Sequence, residues 1–438
     1  MPLLIKNATI VNAEEIFSKP HDIFIEKGVI VKVAPVISDQ SSQVIDARGK
    51  LVLPGLIDLH VHLRQPGRED EETIETGSRS GVKGGFTSIF CMPNTSPVID
   101  NAMIVQAIIN EAKRVGLVNV FPIGAITRGQ KDEELTDMFE LKKAGCLALS
   151  DDGRSVSNSQ LMRHAMEYAK MVDILLIQHC EDPLLSNHGA MNEGTTSTLL
   201  GLKGIPGVAE TIIVARDIEL AYYLKTKIHF AHMSLKRSVE LIRFAKSQGI
   251  PVTAEACPHH FTLTDDIVKS FDTNTKVNPP LRTKEDVQAI KEGLKDGTID
   301  VITTDHAPHT QEEKELSYDQ APFGMIGLET ALGLAVTELV TKKYLTWTAL
   351  VDKMSKKPAQ IAGLIHKGEI REGRDADITI LNPDQEWVVK KEEFSSKSQN
   401  SPFIGRKLKG QVETTICGGK VVYQVSERGT ESHVTGHT

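Results

Sequence analysis

At 438 residues the chain has room for one large domain and a smaller one, and it needs no disulfide or metal staple to bury a core. Its 40% hydrophobic and 25% charged content is that of an ordinary water-soluble globular protein, and a formal net charge of −8 removes the electrostatic case for nucleic acid or an anionic membrane as partner. The five cysteines form no CxxC pair; Cys91, Cys146, Cys180 and Cys257 sit in or just after apolar runs and Cys417 stands apart, which reads as core thiols in a reducing compartment. No apolar stretch approaches the ~20 residues of a membrane span. The apolar start breaks at Lys6 without a signal-peptide core, so the sequence reads as cytoplasmic.

Residues 3–53 alternate with the period of strands, over 3–5, 8–11, 22–25, 29–33 and 43–46, which predicts a small antiparallel β unit. From Leu56 the texture changes. Eight short apolar runs follow, at 56–60, 87–92, 118–123, 146–150, 174–179, 227–232, 252–256 and 300–305. Helices are predicted between them, among others at 102–115, 159–170, 208–224 and 235–248, and after the last run at 328–339, 346–355 and 358–364. Eight strand–helix alternations predict an α/β fold, a (β/α)8 TIM-like barrel over residues 55–365. A doubly wound open sheet is the competing architecture, but no glycine-rich phosphate loop follows the first run. Strand texture returns at 375–381, 387–389 and 414–423, the last with a Gly418-Gly419 hairpin signal. Residues 1–54 and 366–438 are expected to form one small composite β domain from both chain ends, with 427–438 frayed.

Catalytic side chains in such barrels gather at the C-terminal ends of the strands. The first run ends in His60-Val61-His62; alternation points both imidazoles to one face, and Arg64 joins them if the backbone stays extended. Alone, a His-x-His pair is more often two buried, hydrogen-bonded histidines than a metal site. The other run ends change that balance: Ser150-Asp151-Asp152-Gly153, Gln178-His179, Ala231-His232 and Thr304-Asp305-His306. Buried imidazoles and carboxylates must be paired. Two divalent cations sharing a carboxylate would satisfy them, with zinc suited to mixed nitrogen and oxygen ligands and manganese or cobalt as substitutes. The remaining histidines read differently. His259 and His260 pack the loop after the seventh run, His229 is out of phase with His232 and faces the helices, and His306 points away from Asp305. His164, His188, His366, His433 and His437 read as solvated.

These residues resemble a known family. Asp58-Leu-His-Val-His-Leu-Arg-Gln-Pro-Gly67 and Thr304-Asp-His-Ala-Pro-His309 are similar to the two hallmark segments of dihydroorotases, in the cyclic amidohydrolase branch of the amidohydrolase superfamily. The likeness continues through Met92-Pro-Asn-Thr95, Asp151-Asp-Gly153, Glu255-Ala-Cys-Pro-His-His260, Asn278-Pro-Pro-Leu-Arg282 and Gly373-Arg-Asp-Ala-Asp377, and so spans essentially the whole chain. It implies that His60, His62 and Asp305 bind one zinc, that His179 and His232 bind a second, and that Asp152 is shared between them. It also implies that Arg64, Asn94 and His309 hold the substrate carboxylate, that Asn278 and the Phe323-Gly324 loop contact the ring, and that His62 borders the substrate. Many relatives bridge their metals with a carboxylated lysine at the end of the fourth strand. Here Lys142 and Lys143 precede that strand and Asp152 takes the bridging place, as in an aspartate-bridged subgroup. Gln65 and Thr303 stand where the family commonly has an acid and a small residue.

The implied reaction is the reversible cyclisation of N-carbamoyl-L-aspartate to L-dihydroorotate in pyrimidine (UMP) biosynthesis, by zinc-hydroxide attack with Asp305 as general acid and base. Arg64 separates this reading from hydantoinase, dihydropyrimidinase and allantoinase, whose substrates need no carboxylate grip. A reading of another class is a non-catalytic scaffold partnering aspartate transcarbamoylase; such homologues typically lose metal ligands, and here all six positions are filled. The resemblance also implies a homodimer and leaves association with aspartate transcarbamoylase open beside catalysis. The segment 309–323 reads equally as an active-site lid or as a solvated loop.

Overall fold

The computed structural model describes residues 2–39, 42–425 and 431–432. Its centre is a closed barrel of eight parallel strands: Leu56–Val61, Phe86–Cys91, Asn119–Pro122, Ala148–Ser150, Leu175–Gln178, Ile228–Phe230, Val252–Ala256 and Val301–Ile302. The first three form one sheet and the last five another. Parallel bridges from Gly124 to Leu149 and from Val61 to His306 close both seams, and the His62 N–H donates to the His306 carbonyl at 2.8 Å.

Alternation sets the layers. Ile57, Leu59, Phe90, Ile123, Ile177 and Val301 belong to one buried apolar cluster, while Leu56, Val61, Phe86, Ile89, Cys91 and Ile302 belong to a second, larger one that includes the helices, with irregular register along the first strand. The helices begin where short polar side chains can accept from free N–H groups. Asn101 caps Ala102–Val115, Asn158 caps Ser159–Val172, and Thr283 with Asp286 makes a capping box for Lys284–Asp296. Cys91, Cys146, Cys180 and Cys257 are buried free thiols, and Cys417 is half-buried.

Three expectations need correction. The N-terminal unit is mixed, not antiparallel: Leu3–Ile10 runs antiparallel to His21–Glu26 but parallel to Gln43–Asp46 and Leu51–Pro54. Hydrophobic alternation reports the strand period and carries no information on direction. The runs 375–381 and 387–389 belong to one strand, Ile378–Val388, which tolerates Pro383 by passing through register shifts against Lys407–Cys417. The helices predicted at 328–339 and 346–355 are shorter, Ala331–Ala335 and Trp347–Val351, and each widens into a π turn; the second π turn is followed by Pro358, which has no N–H to offer an α-helical ladder.

Leu51–Pro54 pairs with both Leu3–Ile10 and Ile378–Val388, so strands from the two chain ends share one sheet. Gly418 and Gly419, at φ 55° and 75°, make the predicted tight turn between Lys407–Cys417 and Lys420–Val425. Most of 427–438, expected to fray, lies outside the described residues.

Candidate active site

The eight strand ends open on one buried cluster. His60, His62, Asp152, His179, His232 and Asp305 are all under a tenth exposed. Two of them reach it through unusual backbone. His232 and Asp305 have φ of 31° and 50°, a left-handed conformation that costs non-glycine residues about 1–3 kcal/mol and turns the side chains off the strand direction.

Asp152 lies at the centre. Its Oδ1 is 3.2 Å from His232 Nε2 and 3.4 Å from both His179 Nδ1 and His60 Nε2, and its Oδ2 is 3.4 Å from His62 Nε2. Asp305 Oδ1 is 3.1 Å from His62 Nε2 and 3.4 Å from His60 Nε2. His179 Nδ1 and His232 Nε2 are 2.9 Å apart. The neighbouring Asp151 turns the other way, accepting from the Ile126 and Thr127 N–H groups and the Thr127 hydroxyl. Only the second of the two adjacent aspartates reaches all four imidazoles.

The electrostatics follow from burial and crowding. Burial alone would raise the Asp152 carboxyl, but the His60 charge and hydrogen bonds from His179 and His232 overcome it and hold the group well below the usual carboxylate range. Asp305 is lowered likewise, with burial opposed by His60 and His62. Burial pulls His179 down, yet Asp152 and Glu181 lift it to about 10. Imidazoles with raised pKa and carboxylates with lowered pKa balance one another here, and a divalent cation bound to the same atoms would take the place of the imidazole protons. The donor set fits such a cation. His60 Nε2 is fully buried, makes no hydrogen bond and faces both carboxylates at 3.4 Å. His60, His62 and Asp305, and likewise His60, Asp152 and His232, bring one ligand atom each within 4.8 Å of one another.

Three of the four imidazoles are held from behind, His60 and His179 by acids to which sequence reasoning gave no role and His62 by Asn94. Glu255, on the seventh strand, accepts from His60 Nδ1 at 2.7 Å and His229 Nε2 at 3.0 Å, and from the His232 backbone N–H at 3.2 Å. His229 therefore faces the barrel interior, not the helices. The phase argument failed because the sixth strand stops at Phe230, so His232 is not on it. Glu181 Oε2 is 2.9 Å from His179 Nε2 and accepts from Asn278 Nδ2 at 2.6 Å. Asn94 Oδ1 accepts from His62 Nδ1 at 2.9 Å. Glu255 ends the seventh strand in the same phase as the other ligands, and that periodicity was a signal available in the sequence. Backing groups of this kind fix the tautomer and direction of a ligand. Glu255→Ala is expected to weaken metal binding about 10–100-fold, measured as metal retained after dialysis against graded chelator.

The mouth of the cluster carries the positive charge. The first strand ends at Val61, and Arg64 sits at φ 62°, so strand alternation does not bring it to the site. A left-handed turn does. Arg64 Nη2 lies 3.2 Å from His309 Nε2, and Arg64 Nε donates to the Pro308 carbonyl at 3.1 Å. Gln65, within that turn, accepts from the Ile74 N–H. His309 Nε2 is also 2.8 Å from the Phe323 carbonyl. Gly324 has φ 140°, and a Cβ there would come within 2.8 Å of Ala307 and 3.0 Å of the His309 ring. His306 points away as expected, 3.2 Å from Glu72. The segment 309–323 is partly internal: the buried Lys314 donates to the Pro322 and Gly324 carbonyls at 2.8 and 2.9 Å.

Comparison with known proteins decides the family. The chain is 55% identical over 424 residues to the dihydroorotase of Pelotomaculum thermopropionicum, covering 97% of this chain and 99% of that one. It is 54% identical over 420 residues to the dihydroorotase of Acetivibrio thermocellus, covering 96% and 98%. The chain belongs to the dihydroorotase family. Residues 49–238 match the model of the dihydro-orotase-like family and 266–423 that of the amidohydrolase family. Among solved structures, an L-hydantoinase (dihydropyrimidinase) from Arthrobacter aurescens superimposes with a TM-score of 0.87 at 26% identity, over 98% of this chain and 97% of that one. A dihydropyrimidinase from Brevibacillus agri, at 22% identity, gives 0.84 over 100% and 97% and attests the fold. The amidohydrolase family is metal-dependent, which agrees with the buried histidine–carboxylate groups. In this dihydroorotase-family chain no lysine reaches the ligand cluster from the fourth strand. Lys142 lies on the preceding helix, Met138–Ala144, and donates to the Val172 and Asp173 carbonyls ahead of the fifth strand.

Proposed function

We infer that the chain catalyses the reversible interconversion of N-carbamoyl-L-aspartate and L-dihydroorotate, with six side chains as ligands for two zinc ions. His60, His62 and Asp305 would hold one, His179 and His232 the other, and Asp152 both. Zinc bound there would polarise the ring amide carbonyl and lower the pKa of an attacking water from ~15.7 towards ~7. The chain's own groups do the rest. In the hydrolytic direction Asp305, kept anionic by its histidine neighbours, takes the proton of the attacking oxygen and delivers it to the departing ring nitrogen. In synthesis it runs the same transfers backwards. Arg64, Asn94 and His309 grip the substrate carboxylate, with His62 beside it, and Asn278 and the Phe323–Gly324 turn border the ring.

The observation that carries this reading is the Arg64–His309 pair at the mouth of the histidine–carboxylate cluster, since a buried guanidinium suits a ring that bears a carboxylate. The barrel would be residues 55–365, set into a small β domain of residues 1–54 and 366–438. A cytoplasmic homodimer, able to associate with aspartate transcarbamoylase, completes the proposal; the free thiols favour a reducing compartment. The test follows loss of dihydroorotate by its amide absorbance. Turnover is expected to vanish on chelation and return with zinc. Hydrolysis of hydantoin with none of dihydroorotate would overturn the reading.

A further inference from the structure

Between the first barrel strand and its helix runs Arg68-Glu69-Asp70-Glu71-Glu72, a stretch whose composition is that of a solvated loop. Glu71 is nevertheless only 2% exposed. Its Oε2 lies 3.0 Å from Arg64 Nε, and its Oε1 lies 2.8 Å from His309 Nδ1 and 3.2 Å from Arg68 Nη2. One carboxylate thus touches two residues of the carboxylate grip, Arg64 and His309. Arg68 is satisfied elsewhere as well, by both oxygens of Asp70 at 3.1 Å and by Glu313 at 2.6 Å.

A carboxylate beside the place where a substrate carboxylate docks is unfavourable by charge alone, so its burial there needs a reason. We propose that Glu71 is the positioning residue of the substrate-carboxylate grip: it fixes the guanidinium plane of Arg64 and the ring of His309 so that both meet the incoming carboxylate together. The geometry assigns each atom a part. Arg64 Nε is engaged by Glu71 and by the Pro308 carbonyl, so the guanidinium presents its Nη edge to the substrate. The Glu71 carboxylate at His309 Nδ1, with Glu313 Oε2 at 3.3 Å, sets the direction of the ring and leaves Nε2 between Arg64 Nη2 at 3.2 Å and the Phe323 carbonyl at 2.8 Å, at the edge where the substrate carboxylate arrives. Long arginine side chains lose rotamer freedom on binding, and an anchor that removes it beforehand turns charge attraction into bidentate recognition. Glu71 touches no substrate atom; it acts through Arg64 and His309. This inference rests on the assignment of Arg64 to the substrate carboxylate.

The test is a double-mutant cycle on the metal-loaded enzyme, measuring KM and kcat for N-carbamoyl-L-aspartate in the parent, Glu71→Gln, Arg64→Met and the double variant. Glu71→Gln is expected to raise KM by up to about 10²-fold, the scale of an ångström's misplacement, with kcat and zinc content little changed. In the Arg64→Met background the same change should raise KM by a clearly smaller factor than in the parent, because only His309 is left for Glu71 to position. Glu71→Asp keeps the charge on a shorter arm and should recover most of the affinity. An unchanged KM in Glu71→Gln, or effects of the two substitutions that simply multiply, would overturn the proposal. Where Glu71→Gln does not fold, Glu71→Ala decides: a raised KM at parental Tm, largely recovered in Glu71→Asp, supports the role, and an unchanged KM in Glu71→Ala refutes it. Failure of Arg64→Met to raise KM would refute the carboxylate grip itself, a different result from failure of its coupling to Glu71.

Discussion

Asp305→Asn is expected to lower kcat by about 10³-fold in both directions, within the range of about 10²–10⁴ that a positioned acid–base group contributes. The substitution leaves an oxygen facing His62, now 3.1 Å from the carboxylate, and takes away the ability to accept and return a proton. Hydrolysis needs the anionic form, which the neighbouring histidines enforce by holding the carboxyl below its ordinary range. Synthesis passes through the same states in reverse. The equilibrium between the two substrates belongs to them alone, so the ratio of forward to reverse kcat/KM must survive the mutation. The measurement is amide absorbance in both directions, paired with metal content by emission spectroscopy. A variant that loses its metal would show Asp305 acting chiefly as a ligand. One that keeps metal and activity would remove the proton-transfer role altogether.

The legible and illegible parts of this molecule divide by how far each interaction reaches along the chain. Barrel strands are short apolar runs punctuated by helices, and that pattern is local, so all eight are readable from Leu56 to Ile302. His60 and His62 announce themselves by spacing, and the other ligands by ending successive runs. Which of Asp151 and Asp152 turns inward depends on the Thr127 backbone, from the loop after another strand, and spacing is silent on it. Glu181 and Glu71 are ordinary acids in sequence, and Glu255 is marked only by standing near the end of an apolar run. Glu255 meets His60 only because the closed barrel sets the seventh strand near the first, while Glu181 and Glu71 meet His179 and Arg64 within one loop each, through turns that spacing does not reveal. The left-handed backbone at Arg64, His232 and Asp305 is likewise invisible, because local preference argues against it and tertiary contacts override that preference. At these three positions the fold departs from its own local rules where the chemistry is proposed.

Arg64→Met should raise KM for N-carbamoyl-L-aspartate and for dihydroorotate by about 10²-fold. Hydrogen bonds to a charged partner contribute about 1.5–3 kcal/mol. At about 1.4 kcal/mol per tenfold, losing one or two of them gives the expected range. The side chain touches Glu71, Pro308 and His309, none of them among the six proposed metal ligands. Zinc content should therefore stay at the parental level, and a variant stripped of metal would show that Arg64 serves the cluster instead. Part of the loss will come from Glu71, which keeps His309 and Arg68 but is left buried without its guanidinium. Arg64→Lys separates the two contributions. It restores a positive charge but not the planar fork, and it should recover the charge-pairing share while leaving the directional share lost. A ring without a carboxylate offers the complementary control. If turnover of hydantoin, however slow, is unchanged by Arg64→Met while dihydroorotate loses two orders of magnitude, the guanidinium reads the carboxylate and nothing else. Equal losses on both rings would mean that Arg64 shapes the pocket without selecting its substrate.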